Sequence, residues 1–178
     1  MIYQDCIAQI KVATSLDENV LQLPVKDQPV VYDYGNGILA SFLIDNMENY
    51  SYLQNSDIVE IGVDKIFEFG VYNLANKLNT ELELQQTEDV YVVSLDGVFE
   101  ASLILIDQFW DVNLSHLVEN TFIACIPSRD VLVFCDVDSV DGIKKLREIV
   151  EKVWPDGDHL LSKNLYKRIN SKWVIFGD

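Results

Sequence analysis

Residues 122–136 read FIACIPSRDVLVFCD. Two runs of apolar, β-branched and aromatic residues, 122–126 and 131–135, flank the turn-forming segment 127–130. Such runs on either side of turn residues are typical of neighbouring strands, because Pro, Ser and Asp favour tight turns. The segment therefore predicts a strand pair.

The same pattern recurs nearer the amino terminus. Residues 29–34 and 38–44 flank Gly35-Asn36-Gly37, whose residue types tolerate the positive φ angles of a tight hairpin. Residues 90–94 and 98–106 flank Asp96-Gly97 and predict a second hairpin. Further strands are predicted at 82–85 and 173–176.

Two segments carry apolar residues at helical spacing. The first is predicted to begin at Asp57 or Asp64 and to end at about Lys77. The second is predicted to begin at Ser139 or Asp141 and to end before Pro155. A short helix over 7–12, a turn at 17–19 and a short helix or loop over 160–166 complete the interpretation.

Strands joined by tight turns and only two long helices predict an α+β fold, with a mostly antiparallel sheet built from hairpins and covered by two main helices. The 178 residues suffice for a full core. We find no linker or repeat, so we predict a single domain over 1–178, with 1–28 as a weakly defined amino-terminal segment.

The negative charge is unevenly distributed. The net charge is −16, and residues 1–128 hold four basic against 20 acidic residues, whereas residues 129–178 hold nine of each. Nucleic acids and anionic membranes select clustered Lys and Arg, so neither is an expected partner. A basic protein partner fits this charge, although acidity also keeps many proteins soluble.

The amino terminus has no basic segment before an apolar run, and no apolar run approaches the length of a membrane span. We therefore expect a cytoplasmic protein. The three cysteines, Cys6, Cys125 and Cys135, form no Cys-x-x-Cys pair and are expected to be buried thiols. The sequence predicts neither a metal site nor a cofactor.

Asp136 and Asp138 follow an apolar strand, as do the paired aspartates of haloacid-dehalogenase-like phosphatases. The 40 residues after Asp138 leave no room for the later motifs of that fold. A calcium loop starting at Asp136 fails at three positions, including Arg147 where Glu is needed. A strand end followed by helix-capping residues explains this segment better.

Ser128, His159 and one carboxylate of Asp130, Asp136 or Asp158 supply the residue types of a nucleophilic triad. No Gly-x-Ser-x-Gly elbow surrounds Ser128, so a structural turn serine is favoured over catalysis.

Arg129 is the first arginine of the chain and lies between two predicted strands. Its guanidinium suits either a partner's carboxylate or phosphate, or an internal ion pair that stabilises the hairpin. The internal pair is favoured, with Asp130 or another acid as its partner.

IPSRD at 126–130, GDHLLS at 157–162 and the amphipathic helix between them occur in the same order in a known family. Together with a final strand that contains Trp173, they resemble the uncharacterised bacterial YtpQ-like family, a domain of unknown function, over about residues 20–176. The resemblance implies a cytoplasmic bacterial α+β domain and draws attention to a shared polar cluster of Arg129, Asp130, Asp158 and His159.

These observations lead to two functional hypotheses and to one structural alternative, in which the polar cluster is a buried network that stabilises the fold. The first is a non-catalytic binding protein whose acidic part takes a basic protein, with a toxin-neutralising immunity protein as one concrete form. The second is an enzyme or small-ligand binder that uses one polar cluster, which comprises Ser128, Arg129, Asp130, Asp136, Asp158 and His159. We expect the non-enzymatic function, and the sequence does not indicate the oligomeric state.

Overall fold

The computed structural model describes residues 2–12 and 23–177. Backbone contacts divide the chain into two compact units, Met1–Asn76 and Lys77–Asp178, each with its own sheet. The strands are antiparallel and two long helices accompany them, which confirms the α+β prediction. The single-domain organisation stays a prediction.

The first unit is built on a four-stranded sheet. Its strands are β1 (Ile7–Val12), β2 (Val31–Gly35), β3 (Ile38–Asp45) and β4 (Tyr50–Tyr52). β3 pairs with the other three strands, and β2 and β3 form the predicted hairpin. Short 3-10 helices lie at Ile2–Asp5, Val25–Asp27 and Asn55–Ile58.

Helix α1 (Val63–Glu81) starts in the first unit and packs closely on its sheet. A Cβ at Gly70 would meet the Phe42 ring at 2.8 Å, so only glycine fits this helix position without a shift of Phe42. The Asn73 amide donates hydrogen bonds to the carbonyls of Gln4 and Cys6. These contacts join α1 to the segment that leads into β1.

The second unit holds a six-stranded sheet. Its strands are β5 (Glu83–Thr87), β6 (Val90–Ser94), β7 (Phe122–Cys125), β8 (Leu132–Asp136), β9 (Leu165–Ile169) and β10 (Lys172–Phe176). Their order is β10-β9-β7-β8-β6-β5, and every neighbouring pair is antiparallel. The predicted strand pair, β7 and β8, lies at the centre.

Helix α2 (Val140–Val153) covers the middle of this sheet. Ser139 caps it as predicted, because its hydroxyl accepts a hydrogen bond from the Gly142 N–H at 3.0 Å. Leu146 and Val150 of α2 belong to one buried cluster with residues of β6, β7, β8 and β9.

Tryptophans Trp110 and Trp173 anchor a second, aromatic cluster of this unit. Their rings meet edge to face at 4.8 Å, and Trp110 also contacts Phe122 and Phe134. Their indole N–H groups donate to the carbonyls of residues 103 and 104 in the 3-10 helix Ala101–Leu105. A π-helix (Phe109–Asn113) and a 3-10 helix (Ser115–Leu117) follow before β7.

Four local predictions were wrong. Residues 7–12 form strand β1 and not a helix, and 98–106 contain a buried 3-10 helix in place of a strand. The hairpin predicted around Asp96-Gly97 does not form, and residues 90–94 pair instead with β5 through a turn at 88–89. A strand starts at Leu165 within the predicted helix or loop. Asp57 belongs to the 3-10 helix before α1, and the turn predicted at 17–19 lies outside the described residues.

Candidate binding sites

Backbone hydrogen bonds bring the β7–β8 turn and the segment after α2 side by side. The Arg129 N–H donates to the His159 carbonyl at 3.2 Å, and the Leu161 N–H donates to the Pro127 carbonyl at 2.8 Å. The two motifs that carry the family resemblance are therefore neighbours, although about thirty residues separate them along the chain.

A cavity of about 360 Å³ opens at this junction. Five of the six residues predicted from the sequence line it: Ser128, Arg129, Asp130, Asp158 and His159. Lys152 and Asp156 also line it, and the sequence interpretation missed both. Both residues are close in sequence to Pro155, where α2 was expected to end, and to Gly157-Asp158-His159. This closeness was the available signal.

The geometry of Ser128 and His159 does not form a nucleophilic triad. The buried Ser128 hydroxyl donates to an Asp130 carboxylate oxygen at 2.6 Å. His159 Nε2 lies 3.3 Å from its own neighbour, Asp158 Oδ2. Serine and imidazole therefore each contact a different carboxylate, whereas a triad requires the imidazole to accept the serine proton.

Arg129 is half-buried in the wall of the cavity. Within residues 2–12 and 23–177, its guanidinium makes neither a hydrogen bond nor an ion pair, and the same is true of the exposed Lys152 ammonium. The favoured internal pair of Arg129 is therefore not seen among the described residues.

Gly157 allows the chain to turn into the cavity directly after α2. A Cβ at this position would lie 2.6 Å from both the Val153 carbonyl and a methyl group of Leu160. His159 then adopts a φ of 49°, in the left-handed region, which directs its backbone carbonyl to Arg129.

Asp136 lies apart from the other predicted site residues. Asp136 is the last residue of β8, and Arg129 lies before the first. The length of this strand, at about 3.3 Å per residue, separates the two by more than about 13 Å. Burial tends to raise the pKa of Asp136, but hydrogen bonds from the N–H groups of Asp138, Asn120 and Glu119 outweigh it and lower this pKa. The carboxylate thus organises a loop.

The sequence interpretation did not single out the buried ion pair of Arg168. Only 4% of this residue is exposed, and it hydrogen-bonds the carboxylates of Asp107 and Asp111 at 2.7 to 3.0 Å. Its guanidinium also lies 5.5 Å from the centre of the Trp173 ring. The sequence offered no clear signal for this pair, because β9 reads LYKRI and Arg168 follows another basic residue, Lys167.

The three cysteines are buried thiols without disulfides, as expected. Burial raises the pKa of each of them to about 12. Since the thiolate is the reactive form, these thiols are poor nucleophiles at neutral pH.

Acidic side chains dominate the surface of the first unit. In residues 2–12 and 23–76, eight of nine carboxylates are exposed and the ninth, Asp27, is half-buried. Three lysines accompany them: Lys11, Lys26 and Lys65. Lys65 pairs with Glu68, which further lowers the positive charge available to balance this surface.

The hairpin between β3 and β4 combines this acidity with exposed apolar groups. Asp45 and Glu48 are exposed, and Met47 between them is 98% exposed. Tyr50 and Tyr52 of β4 are also exposed, and the Lys11 ammonium lies 5.1 Å from the centre of the Tyr52 ring. We call residues 45–52 the acidic hairpin.

No protein-family model, curated protein or solved structure matches this chain. The resemblance to the YtpQ-like family therefore stays a prediction. In the part of the chain that the structure describes, no helix is both long and apolar enough to cross a membrane. Across the same residues, no group of three or more His, Cys, Asp or Glu side chains is arranged to hold a metal ion.

Proposed function

We propose that this chain is a non-catalytic, cytoplasmic binding protein whose acidic first unit takes a basic protein partner. The observation that carries the proposal is the charge of this unit. Residues 2–12 and 23–76 hold nine carboxylates and only three lysines. Complementary charge speeds encounter and selects partners of opposite sign. A neutralising partner of a basic toxin is one concrete form of this function.

The acidic hairpin is the best centre for such a contact. Interfaces are enriched in Tyr and Met, and residues 45–52 expose Met47, Tyr50 and Tyr52 beside two carboxylates. The Tyr52 ring already lies beside the Lys11 ammonium, so the exposed carboxylates of Asp45 and Glu48 are the groups that attract a partner's Lys or Arg.

Binding is favoured over catalysis by the arrangement of the polar cluster. The Ser128 hydroxyl is held by Asp130, and His159 lies against Asp158, so nucleophile and base do not meet. The high pKa of the three cysteines also argues against a thiolate nucleophile.

The test starts with the tagged full chain, which is used to capture partners from its own cell extract at low and high salt. The partner is then purified and titrated against wild type, D45N/E48Q and the matched control E148Q/E151Q. The control removes the same charge from exposed positions on α2. We expect a basic partner whose Kd rises with salt, and a Kd about two- to thirtyfold higher for D45N/E48Q, since exposed pairs contribute about 0.2 to 1 kcal/mol each.

Three outcomes would overturn the proposal: a captured partner that is not basic, binding that does not weaken with salt, or equal Kd values for D45N/E48Q and wild type. A control that weakens binding as much as D45N/E48Q would place the contact outside the first unit and would also contradict it.

A further inference from the structure

The cavity at the β7–β8 turn carries two cationic groups that the protein does not neutralise. The guanidinium of Arg129 and the ammonium of Lys152 line it, and neither is paired within the described residues. Arg129 is half-buried, and its planar fork matches the two oxygens of a carboxylate. A half-buried arginine without an internal partner is well placed to bind an anionic group of a ligand.

The acidic side chains of the cavity restrict that ligand. Asp130, Asp156 and Asp158 line the cavity with Arg129 and Lys152, so negative side chains outnumber positive ones. A phosphate dianion would add to this excess of negative charge. A molecule with one carboxylate and one cationic nitrogen would leave the charge of the cavity unchanged and would interact favourably with both sets of side chains.

The three carboxylates differ in their availability. Asp130 accepts the Ser128 hydroxyl, and Asp158 accepts the N–H of His159 while its side chain is 91% exposed. Asp156 is exposed and has no hydrogen-bond partner in the described part of the chain. Both oxygens of Asp158 contact His159, so Asp156 is the group left to receive a cationic nitrogen.

The size of the cavity sets the size of the ligand. Its volume of about 360 Å³ is near the lower end of the range of about 300 to 1,000 Å³ for small-molecule pockets. We propose that the cavity binds a small zwitterion of amino-acid or dipeptide size, with its carboxylate on Arg129 and Lys152 and its cationic nitrogen toward Asp156. This inference goes beyond the proposed function, because it concerns a surface of the second unit.

The test is a ligand-observed NMR titration of the full chain. The probes are glycine, γ-aminobutyrate and the dipeptide glycylglycine as zwitterions, with acetate, butylamine and inorganic phosphate as single-charge-type controls. Glycine and glycylglycine distinguish a free amino acid from a peptide carboxyl terminus. We expect at least one zwitterion to bind about tenfold more tightly than acetate, butylamine and phosphate, which corresponds to about 1.4 kcal/mol.

Variants locate the binding. We expect R129Q to weaken the binding of that zwitterion by about tenfold, and the matched control R147Q, on the exposed face of α2, to leave it unchanged. The melting temperature of R129Q is expected to stay within about 2 °C of wild type, because its guanidinium has no internal partner among the described residues.

Phosphate as the tightest probe, no zwitterion above the single-charge controls, or equal binding by R129Q and wild type would each overturn the proposal. A large fall in the melting temperature of R129Q would also overturn it, since Arg129 would then be a structural group. None of these outcomes depends on D45N/E48Q, so failure of this inference and failure of the proposed function are distinguishable.

Discussion

Arg168 is a charged side chain with 4% of its surface exposed, whereas its partners Asp107 and Asp111 lie at the surface. Its Nε and Nη2 groups donate to Asp111 and Asp107, whereas Nη1 is buried without a hydrogen-bond partner among the described residues. Burial opposes the charge of Arg168, but the two carboxylates outweigh it and raise the pKa of the guanidinium. The pair is therefore charged, and its members depend on each other.

We predict that D111A lowers the free energy of unfolding at neutral pH by about 1 to 3 kcal/mol, because it leaves part of a buried guanidinium unsatisfied. The hydrogen bond from Arg168 is the main cause that lowers the pKa of Asp111 below its ordinary value of 3.8. The stability from this carboxylate is therefore fully present above pH 3.8 and is lost as the pH falls through the lowered value.

Urea unfolding of wild type and D111A between pH 6 and pH 3 measures this effect. The difference between the two proteins should shrink at the acidic end. The control is E151A, which removes an exposed carboxylate of α2 and should change stability by less than about 0.5 kcal/mol. A difference between wild type and D111A that is independent of pH would contradict the role given to the charged pair.

At the scale of the element, the start of α2 shows how a glycine permits close packing of a helix on a sheet. A Cβ at Gly142 would lie 2.7 Å from the Ser139 hydroxyl and 2.8 Å from both the Asp89 carbonyl and the Cys135 Cβ. Two of these neighbours are backbone or strand atoms that cannot rotate away. Helix propensity favours alanine over glycine, but this packing opposes it.

We predict that G142A destabilises the protein by about 1 to 3 kcal/mol, since overpacking outweighs the gain in helix propensity. The matched control is G62A, directly before α1, where a Cβ would meet nothing within 4 Å and φ is not positive. G62A should leave the free energy of unfolding unchanged or raise it slightly. Thermal or urea unfolding of both variants gives the sign, and a stabilised G142A would show that α2 is free to move away from the sheet.

At the scale of the whole molecule, the net charge of −16 opposes the folded state through repulsion among carboxylates. Screening shortens the range of this repulsion from about 30 Å at 0.01 M salt to about 8 Å at physiological salt. The protein should therefore gain stability when salt is added at neutral pH.

We predict a rise in melting temperature of about 2 to 4 °C between these salt concentrations, equivalent to about 1 kcal/mol. The same titration near pH 4.3, where the net charge is close to zero, serves as the control and should show a smaller rise. A melting temperature that is flat or falls with salt at neutral pH would mean that attractive pairs outweigh the repulsion.

Local signals predicted those elements whose structure depends on nearby residues. The β2–β3 hairpin follows from Gly35-Asn36-Gly37, all three of which have positive φ. The cap at Ser139 and the apolar face of α2 are likewise encoded within a few turns of helix. Composition and charge distribution also need no structure, so the expectation of a basic partner is drawn from the sequence itself.

The wrong predictions fall on short apolar runs, because the apolar pattern of a short buried strand is the same as that of a short buried helix. Residues 7–12 form a strand since β3 offers its edge, and 101–105 form a 3-10 helix that receives the N–H groups of Trp110 and Trp173. The β3 strand and Trp173 lie far from these segments along the chain, whereas Trp110 is seven residues from Leu103.

The candidate site divides in the same way. The sequence predicted six site residues between Ser128 and His159, and five of these six line one cavity. The hydrogen bond from Ser128 to Asp130 is local, whereas the contacts of Asp136 with residues 119 and 120, and the unpaired guanidinium of Arg129 among the described residues, depend on the tertiary structure. Backbone preferences act over a few residues, whereas the pairing of Arg129 with His159 depends on how α2 returns the chain to the sheet.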